Sequence, residues 1–239
     1  MDKVVVVTGA GKGLGKALVQ VFLEEGCKVV AISRGQDPFP DAADEAYLFL
    51  RADVADFAQL DRAMAEVVTK FSRVDILFNN AAVYPKINFI DETAEQWMET
   101  IAVNLGGVVN GCKAVLPYMV EQAYGRIYNL GSFADLRPIK NSSAYSVSKG
   151  GLHALGKSIA VDLEDMGVDV QVHEWIPGHL NTQMSGYTGI EPLVSAAWAL
   201  DMVQRDDASS SSVIFDNDHE FVPPVGLKQR IKNKVIFWR

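Results

Sequence analysis

Tyr145 and Lys149 stand four positions apart in the segment Tyr-Ser-Val-Ser-Lys. On a helix that spacing puts a phenol and an ammonium on one face, within reach of a shared ligand. A free phenol ionises near pH 10 and is a weak acid–base catalyst at neutrality. A neighbouring cation stabilises the phenolate and is expected to lower that value. A phenol tuned this way gives a proton to a carbonyl oxygen, or takes one from an alcohol. Any surface helix can carry this spacing, so its meaning depends on what else the chain brings to the same place.

A second constellation is Thr8-Gly9-Ala10-Gly11-Lys12-Gly13-Leu14-Gly15, between the apolar run Val4 to Val7 and the helically spaced Leu14, Leu18, Val21 and Phe22. Glycines in that context permit a tight turn and let a pyrophosphate approach the N–H groups at the positive end of a helix. Gly9, Lys12, Gly13, Leu14 and Gly15 are the expected phosphate contacts. A dinucleotide makes a further contact at the end of the second strand, where a carboxylate would hold the ribose hydroxyls of NAD. Here Ser33 and Arg34 close the run Val29 to Ile32. A carboxylate repels a 2′-phosphate, whereas a guanidinium grips one with two hydrogen bonds, and Lys12 adds positive charge nearby. NADP(H) is therefore the expected cofactor, in preference to NAD(H).

The elements that must position these groups read as regular β/α alternation. Val4 to Val7 is a β-branched run suited to a strand buried on both faces. Gly26 stops the first helix before the second strand, Val29 to Ile32. An amphipathic segment follows around Leu60 to Phe71, then a strand at Asp75 to Phe78 and one long helix from about Glu95 to Met119. Arg126 to Leu130 reads as a strand, Tyr145 to Met166 as a helix and Val168 to Ile176 as a strand. This pattern predicts a single α/β domain over residues 1–239, a doubly wound parallel sheet with helices on both faces, the Rossmann arrangement. Gln36 to Asp44 reads as a surface loop, and Ser209 to Ser212 as a turn feeding a last edge strand at Val213 to Phe215.

Bulk properties exclude several functions. A formal net charge of −8 opposes a polyanion, so nucleic-acid binding is not expected. The basic residues Lys228, Arg230, Lys232, Lys234 and Arg239 cluster in the tail, 223–239, interleaved with apolar residues, which favours a packed tail or subunit contact over a membrane or anion site. Cys27 and Cys112 lie in apolar stretches and read as buried, without a disulfide. The apolar run at the start is too short for a signal sequence or a membrane span, so a cytoplasmic location is the default. No residue cluster has metal-ligand spacing, and none is assigned to a metal.

Together these motifs resemble the short-chain dehydrogenase/reductase family, from Lys3 to about Thr182. Thr8-Gly9 with Gly13 and Gly15 matches its cofactor turn, Asp53-Val54 its adenine contact, and Asn79-Asn80-Ala81 its post-strand motif. Asn104 falls in a Val-Asn-Leu stretch, Ser132 lies 13 residues before Tyr145, and Pro177-Gly178 with Thr182 matches the segment beside nicotinamide. The resemblance implies Tyr145 as general acid or base and Ser132 as the hydrogen-bond partner of the substrate oxygen. It implies Lys149 as the ligand of the nicotinamide ribose and Asn104 as the holder of a water that links Lys149 to solvent. Asn80, Ala81, Pro177, Gly178 and Thr182 would complete the cofactor site, with Ile176 beside the nicotinamide. Cys112 and His153 read as packed core residues, and His179 as either a substrate-facing or an exposed loop residue.

The chain departs from the family pattern at Ala82, where glycine is usual, at Gly131, where serine is frequent before Ser132, and in Asp216-Asn217-Asp218-His219. The substrate loop, 183–190, is short, which suggests an open site or a bulky substrate. The expected function is carbonyl–alcohol interconversion on a small molecule by a homodimer or homotetramer. The alternative is a non-catalytic NADP(H)-binding sensor or interaction protein on the same fold. An epimerase or dehydratase with the same Tyr–Lys spacing would carry a longer C-terminal domain.

Overall fold

The four valines of β1 (Val4–Thr8) divide between two cores, Val4 and Val6 facing one and Val5 and Val7 the other. That is the burial a central parallel strand requires. In the computed structural model, which describes residues 1–42 and 45–221, β1 lies inside an eight-stranded sheet. The sheet comprises β1, β2 (Lys28–Ser33), β3 (Tyr47–Arg51), β4 (Ile76–Asn79), β5 (Tyr124–Leu130), β6 (Asp169–Ile176), β7 (Ile214–Asp216) and β8 (His219–Glu220). The spatial order is β3-β2-β1-β4-β5-β6-β7-β8, parallel throughout except for β8.

Helices α1 (Gly13–Glu24) and α6 (Pro192–Arg205) cover one face through Leu14, Leu18, Phe22, Ala196 and Met202. Helices α2 (Phe57–Phe71), α4 (Gly107–Glu121) and α5 (Ser143–Glu164) cover the other through Leu60, Met64, Val115, Met119 and Leu152. The remaining helix, α3 (Ala94–Ile101), begins in a capping box between Thr93 and Gln96. A buried guanidinium ties three elements together: Arg126 of β5 bonds Asp169 of β6 and Asp206 at the end of α6. Strand order reverses between β1 and β4, and the crevice beyond their carboxyl ends is where such sheets bind ligands.

Three expectations need correction. Strand β3 was not foreseen, because Tyr-Leu-Phe-Leu-Arg follows an irregular loop and is only half-buried at the edge, without clear alternation. The single long helix divides into α3, a π-helical segment at Ala102–Gly106 and α4. The strand near Val213 is not the edge, since β8 pairs with β7 antiparallel outside it. The basic tail, 223–239, lies outside the described residues, as do residues 43 and 44 of the loop at 36–44.

Candidate active site

The glycine turn leaves β1 and enters α1 without a side-chain cap, so the N-cap residue Lys12 leaves the first-turn N–H groups uncapped. Gly9 and Gly13 hold φ of +66° and +56°, which glycine adopts without strain. A Cβ on Gly9 would stand 2.7 Å from Ala81 Cα, so the turn packs directly on the end of β4. Asn80 fastens that contact by donating from Nδ2 to the carbonyls of Thr8 (2.9 Å) and Gly9 (3.2 Å). Thr8 Oγ1 in turn accepts from the backbone N–H groups of Asn80 and Ala81. The result is an anion cradle with open donors at a helix N-terminus, which fits a pyrophosphate.

A cleft of about 1140 Å³ runs from this turn across the switch point. At one end lie Ser33, Arg34, Asp53 and Val54. Ser33 Oγ is buried with no hydrogen-bond partner among the described residues, and a Cβ on Gly11 would stand 3.3 Å from it. The Arg34 side chain is 65% exposed and its Nη1 lies 3.4 Å from Asp53 Oδ2. Its guanidinium is thus shared with a carboxylate rather than standing alone. Lys12 Nζ donates to Gln183 Oε1 at 2.8 Å, which joins the glycine turn to the loop after β6. This end of the cleft thus offers a hydroxyl and an exposed guanidinium to a ligand, and the nearby carboxylate offsets part of the guanidinium's charge.

At the other end the cleft meets Ser132, Tyr145 and Lys149. Ser132 follows β5, and its Oγ accepts from the Ala134 N–H at 3.1 Å. Tyr145 sits in the first turn of α5 and lines the same end of the cleft as Ser132, with its ring stacked on Tyr84 at 4.7 Å between centroids. Lys149 lies one turn further on, buried, with Nζ donating to the Leu130 carbonyl at 2.7 Å and 5.7 Å from the Tyr145 ring centroid. Burial lowers the Lys149 ammonium to about 8, and the Glu174 carboxylate opposes that fall.

The phenol does not follow the simple expectation. Burial pushes Tyr145 above its ordinary value, while the Ser132 hydrogen bond pulls it down and Tyr84 pushes it up. Desolvation is the largest of these influences, and the Lys149 ammonium is engaged by the Leu130 carbonyl.

Asn104 occupies the π-helical segment, fully buried. Its Oδ1 accepts from the Val83 N–H (2.8 Å), and its Nδ2 donates to the Val83 carbonyl (2.9 Å) and to Ser148 Oγ (3.1 Å). It therefore locks the segment after β4 to α5, and the side chain has no spare donor. A π-bulge often marks a functional site, and here it turns this amide inward.

After β6, Gly178 takes φ +84° and Ser195 Oγ donates to the Pro177 carbonyl. Thr182 caps a 3₁₀ turn, Gln183–Ser185, and Thr182 Cγ2 lies 3.4 Å from a Cβ built on Gly13. Leu180 bridges Ile190, which closes the base of the loop. Ile176, Pro177, Gly178 and Thr182 all line the cleft.

Cys112 is buried as expected, and so is Cys27. His153 is not a core residue: its side chain is 41% exposed on α5, with Nδ1 3.5 Å from Glu174 Oε2. His179 is exposed, with Nε2 2.9 Å from Thr188 Oγ1. Glu174, a buried carboxylate inside β6, went unnoticed in the sequence. A charged residue in the apolar run Val168 to Ile176 was the available signal. Among the described residues there is no group of three or more His, Cys, Asp and Glu that could hold a metal ion, and no helix long and apolar enough to cross a membrane.

Comparison with known proteins gives this architecture its relatives. The profile of the short chain dehydrogenase family matches residues 3–191. A 2-(R)-hydroxypropyl-CoM dehydrogenase of Xanthobacter autotrophicus is 35% identical over 202 residues, which cover 80% of each chain. A 2,5-dichloro-2,5-cyclohexadiene-1,4-diol dehydrogenase of Sphingobium indicum is 32% identical over 189 residues, 77% of this chain and 75% of the relative. Among solved structures, levodione reductase superimposes with a TM-score of 0.80 at 26% identity, covering 90% of this chain and 96% of that one.

Proposed function

The chain belongs to the short-chain dehydrogenase family, and on that premise we propose that it is an NADP(H)-dependent oxidoreductase interconverting a ketone or aldehyde with an alcohol. The observation that carries this reading is the convergence of Ser132, Tyr145 and Lys149 at one end of a cleft whose other parts hold an uncapped helix N-terminus and Arg34. Relatives named as dehydrogenases of a hydroxypropyl compound and of a diol, and one named as a reductase, support the same chemistry.

When bound, the nicotinamide supplies or accepts the hydride. Ser132 would hold the substrate oxygen by a hydrogen bond that strengthens as negative charge develops there. The Tyr145 hydroxyl would donate its proton to that oxygen in reduction and recover it in oxidation. Lys149 would bind the cofactor ribose and bring positive charge toward the phenol once cofactor competes with the Leu130 carbonyl. Asn104 would keep α5 and the segment at Val83 in register, while Asp53, Val54, Asn80, Ala81 and Thr182 line the cofactor. The loop 183–190 would lie against the substrate, and homodimer or homotetramer assembly belongs to the same reading.

The test follows NADPH and NADH absorbance with a panel of ketones and aldehydes, and reads cofactor binding separately by fluorescence. Turnover with NADPH at a kcat/KM at least about tenfold above that with NADH is expected, the factor one good charge-assisted contact provides. A preference for NADH would overturn the cofactor assignment. NADPH binding without turnover on any member would favour the sensor.

A further inference from the structure

Gly131 lines the main cleft, and behind it Glu174 lines a second cavity of about 210 Å³. A Cβ on Gly131 would collide with the Glu174 carboxylate, so the glycine in place of the family's frequent serine makes room for this acid. Glu174 is 8% exposed, and its Oε2 is buried without a hydrogen-bond partner among the described residues, 3.5 Å from His153 Nδ1. Along α5, Tyr145, Lys149, His153 and Lys157 recur every fourth residue. This row of ionisable groups leads from the cleft, which Tyr145 and Lys149 line, to the cavity, which His153 and Lys157 line.

We propose that Glu174 is a positioning residue that holds the charge of Lys149 and returns protons to it from solvent through His153 and the second cavity. The proposal rests on the reading of Tyr145 and Lys149 as the proton-transfer pair. For each carbonyl reduced, one proton leaves the Tyr145 hydroxyl for the substrate oxygen. Its replacement draws one proton from Lys149, which takes one from the Glu174 carboxyl, which takes one from cavity water by way of the His153 imidazole. Oxidation of an alcohol runs the same protons outward, and the hydride travels separately with the cofactor.

The surrounding charges suit such exchange. Burial and Asp135 push Glu174 up to about 7 against the pull of Lys149 and Lys157, and Lys149 sits at about 8. Burial and Lys157 hold His153 below its ordinary value, against Asp135. Glu220 of β8 also lines the cavity and is bonded to Ser209. The values of Glu174 and Lys149 are close enough to allow transfer between them in either direction.

The experiment titrates protein carrying ¹³C-carboxyl glutamate by NMR, assigning Glu174 as the resonance missing from Glu174→Gln. The expected midpoint is near 7, rising by about one pH unit in Lys149→Met, since loss of the nearby cation removes what favours the carboxylate. In turnover, Glu174→Gln should move the alkaline limb of the kcat profile to lower pH by about one unit, because Lys149 loses the charge that helps it stay protonated. The KM for NADPH should stay within about twofold. A midpoint in the ordinary carboxylate range, indifference to Lys149→Met, or a Glu174→Gln profile superimposable on that of the native enzyme would each overturn the proposal. Failure of the underlying reading shows separately, as turnover that survives Tyr145→Phe while the NMR coupling stands.

Discussion

At the scale of single residues, the site is a contest between burial and charge. The Lys149 ammonium, lowered to about 8, remains largely protonated at neutrality. If that charge is needed for turnover, activity is present below this value and lost as pH rises through it. The pH–rate profile should fall above about 8, and a profile flat to pH 10 would contradict the role given to Lys149. Arg34 is tested by Arg34→Ala, which should raise the KM for NADPH about tenfold or more and leave that for NADH within about twofold, consistent with loss of a charge-assisted phosphate contact. Equal effects on both cofactors would sink the assignment.

The residue types and their order were readable directly, because a Tyr–Lys pair at helical spacing and a glycine turn after a valine strand each carry a local physical reason. What stayed hidden arises from contacts across the fold. The Leu130 carbonyl that engages Lys149 belongs to β5, the carboxylate that shares Arg34 follows β3, and Tyr84, stacked on Tyr145, follows β4.

At the scale of elements, β5 and β6 are matched where Gly131 meets Glu174. Gly131→Ser should destabilise the protein by about 1–3 kcal/mol, because an added side chain must displace a packed acid. In the Glu174→Ala background most of that cost should disappear, since neighbours that share one space are not additive. Urea denaturation of the four proteins measures this coupling, and strictly additive effects would show that the two residues do not compete.

Alternation of apolar runs and helical spacing made β1, β2, β4, β5, β6 and the major helices legible. Strand β3 was lost because its half-buried edge position gives no strong period. The π-helical segment escaped because one added residue per turn scarcely disturbs an apolar pattern, although Asn104 within it marked the place.

At the scale of the whole molecule, buried ionisable groups set the pH range of stability. His173 is buried, and burial with Arg126 nearby lowers it to about 4. Its folded value lies below the unfolded one, so the folded chain binds fewer protons between about 6.5 and about 4. Stability should fall across that window by about 3 kcal/mol as pH decreases. Glu174 acts from the other side. Its folded value, about 7, lies above the ordinary carboxylate value, so its contribution is complete in acid and lost as pH rises through 7. Glu174→Gln should therefore raise the melting temperature at pH 8 and change it little at pH 4. An unchanged melting temperature at pH 8 would show that the carboxylate is better solvated than its burial indicates.

Doubly wound topology was evident from the sequence, and with it the position of the cleft at the switch between β1 and β4. The second cavity was not, because it forms where α5, β6 and the segment around Ser212 converge, and no local pattern records that meeting.

The central claim is that the Tyr145 hydroxyl carries the proton of a hydride-transfer reaction. Its most direct test is single-turnover NADPH oxidation by Tyr145→Phe at saturating cofactor, with the Kd for NADPH measured on the same sample. The rate should fall by about 10²-fold or more with the Kd within about threefold, the loss expected when a general acid is removed from a formed site. A Tyr145→Phe enzyme that binds NADPH normally and turns over at the native rate would contradict it.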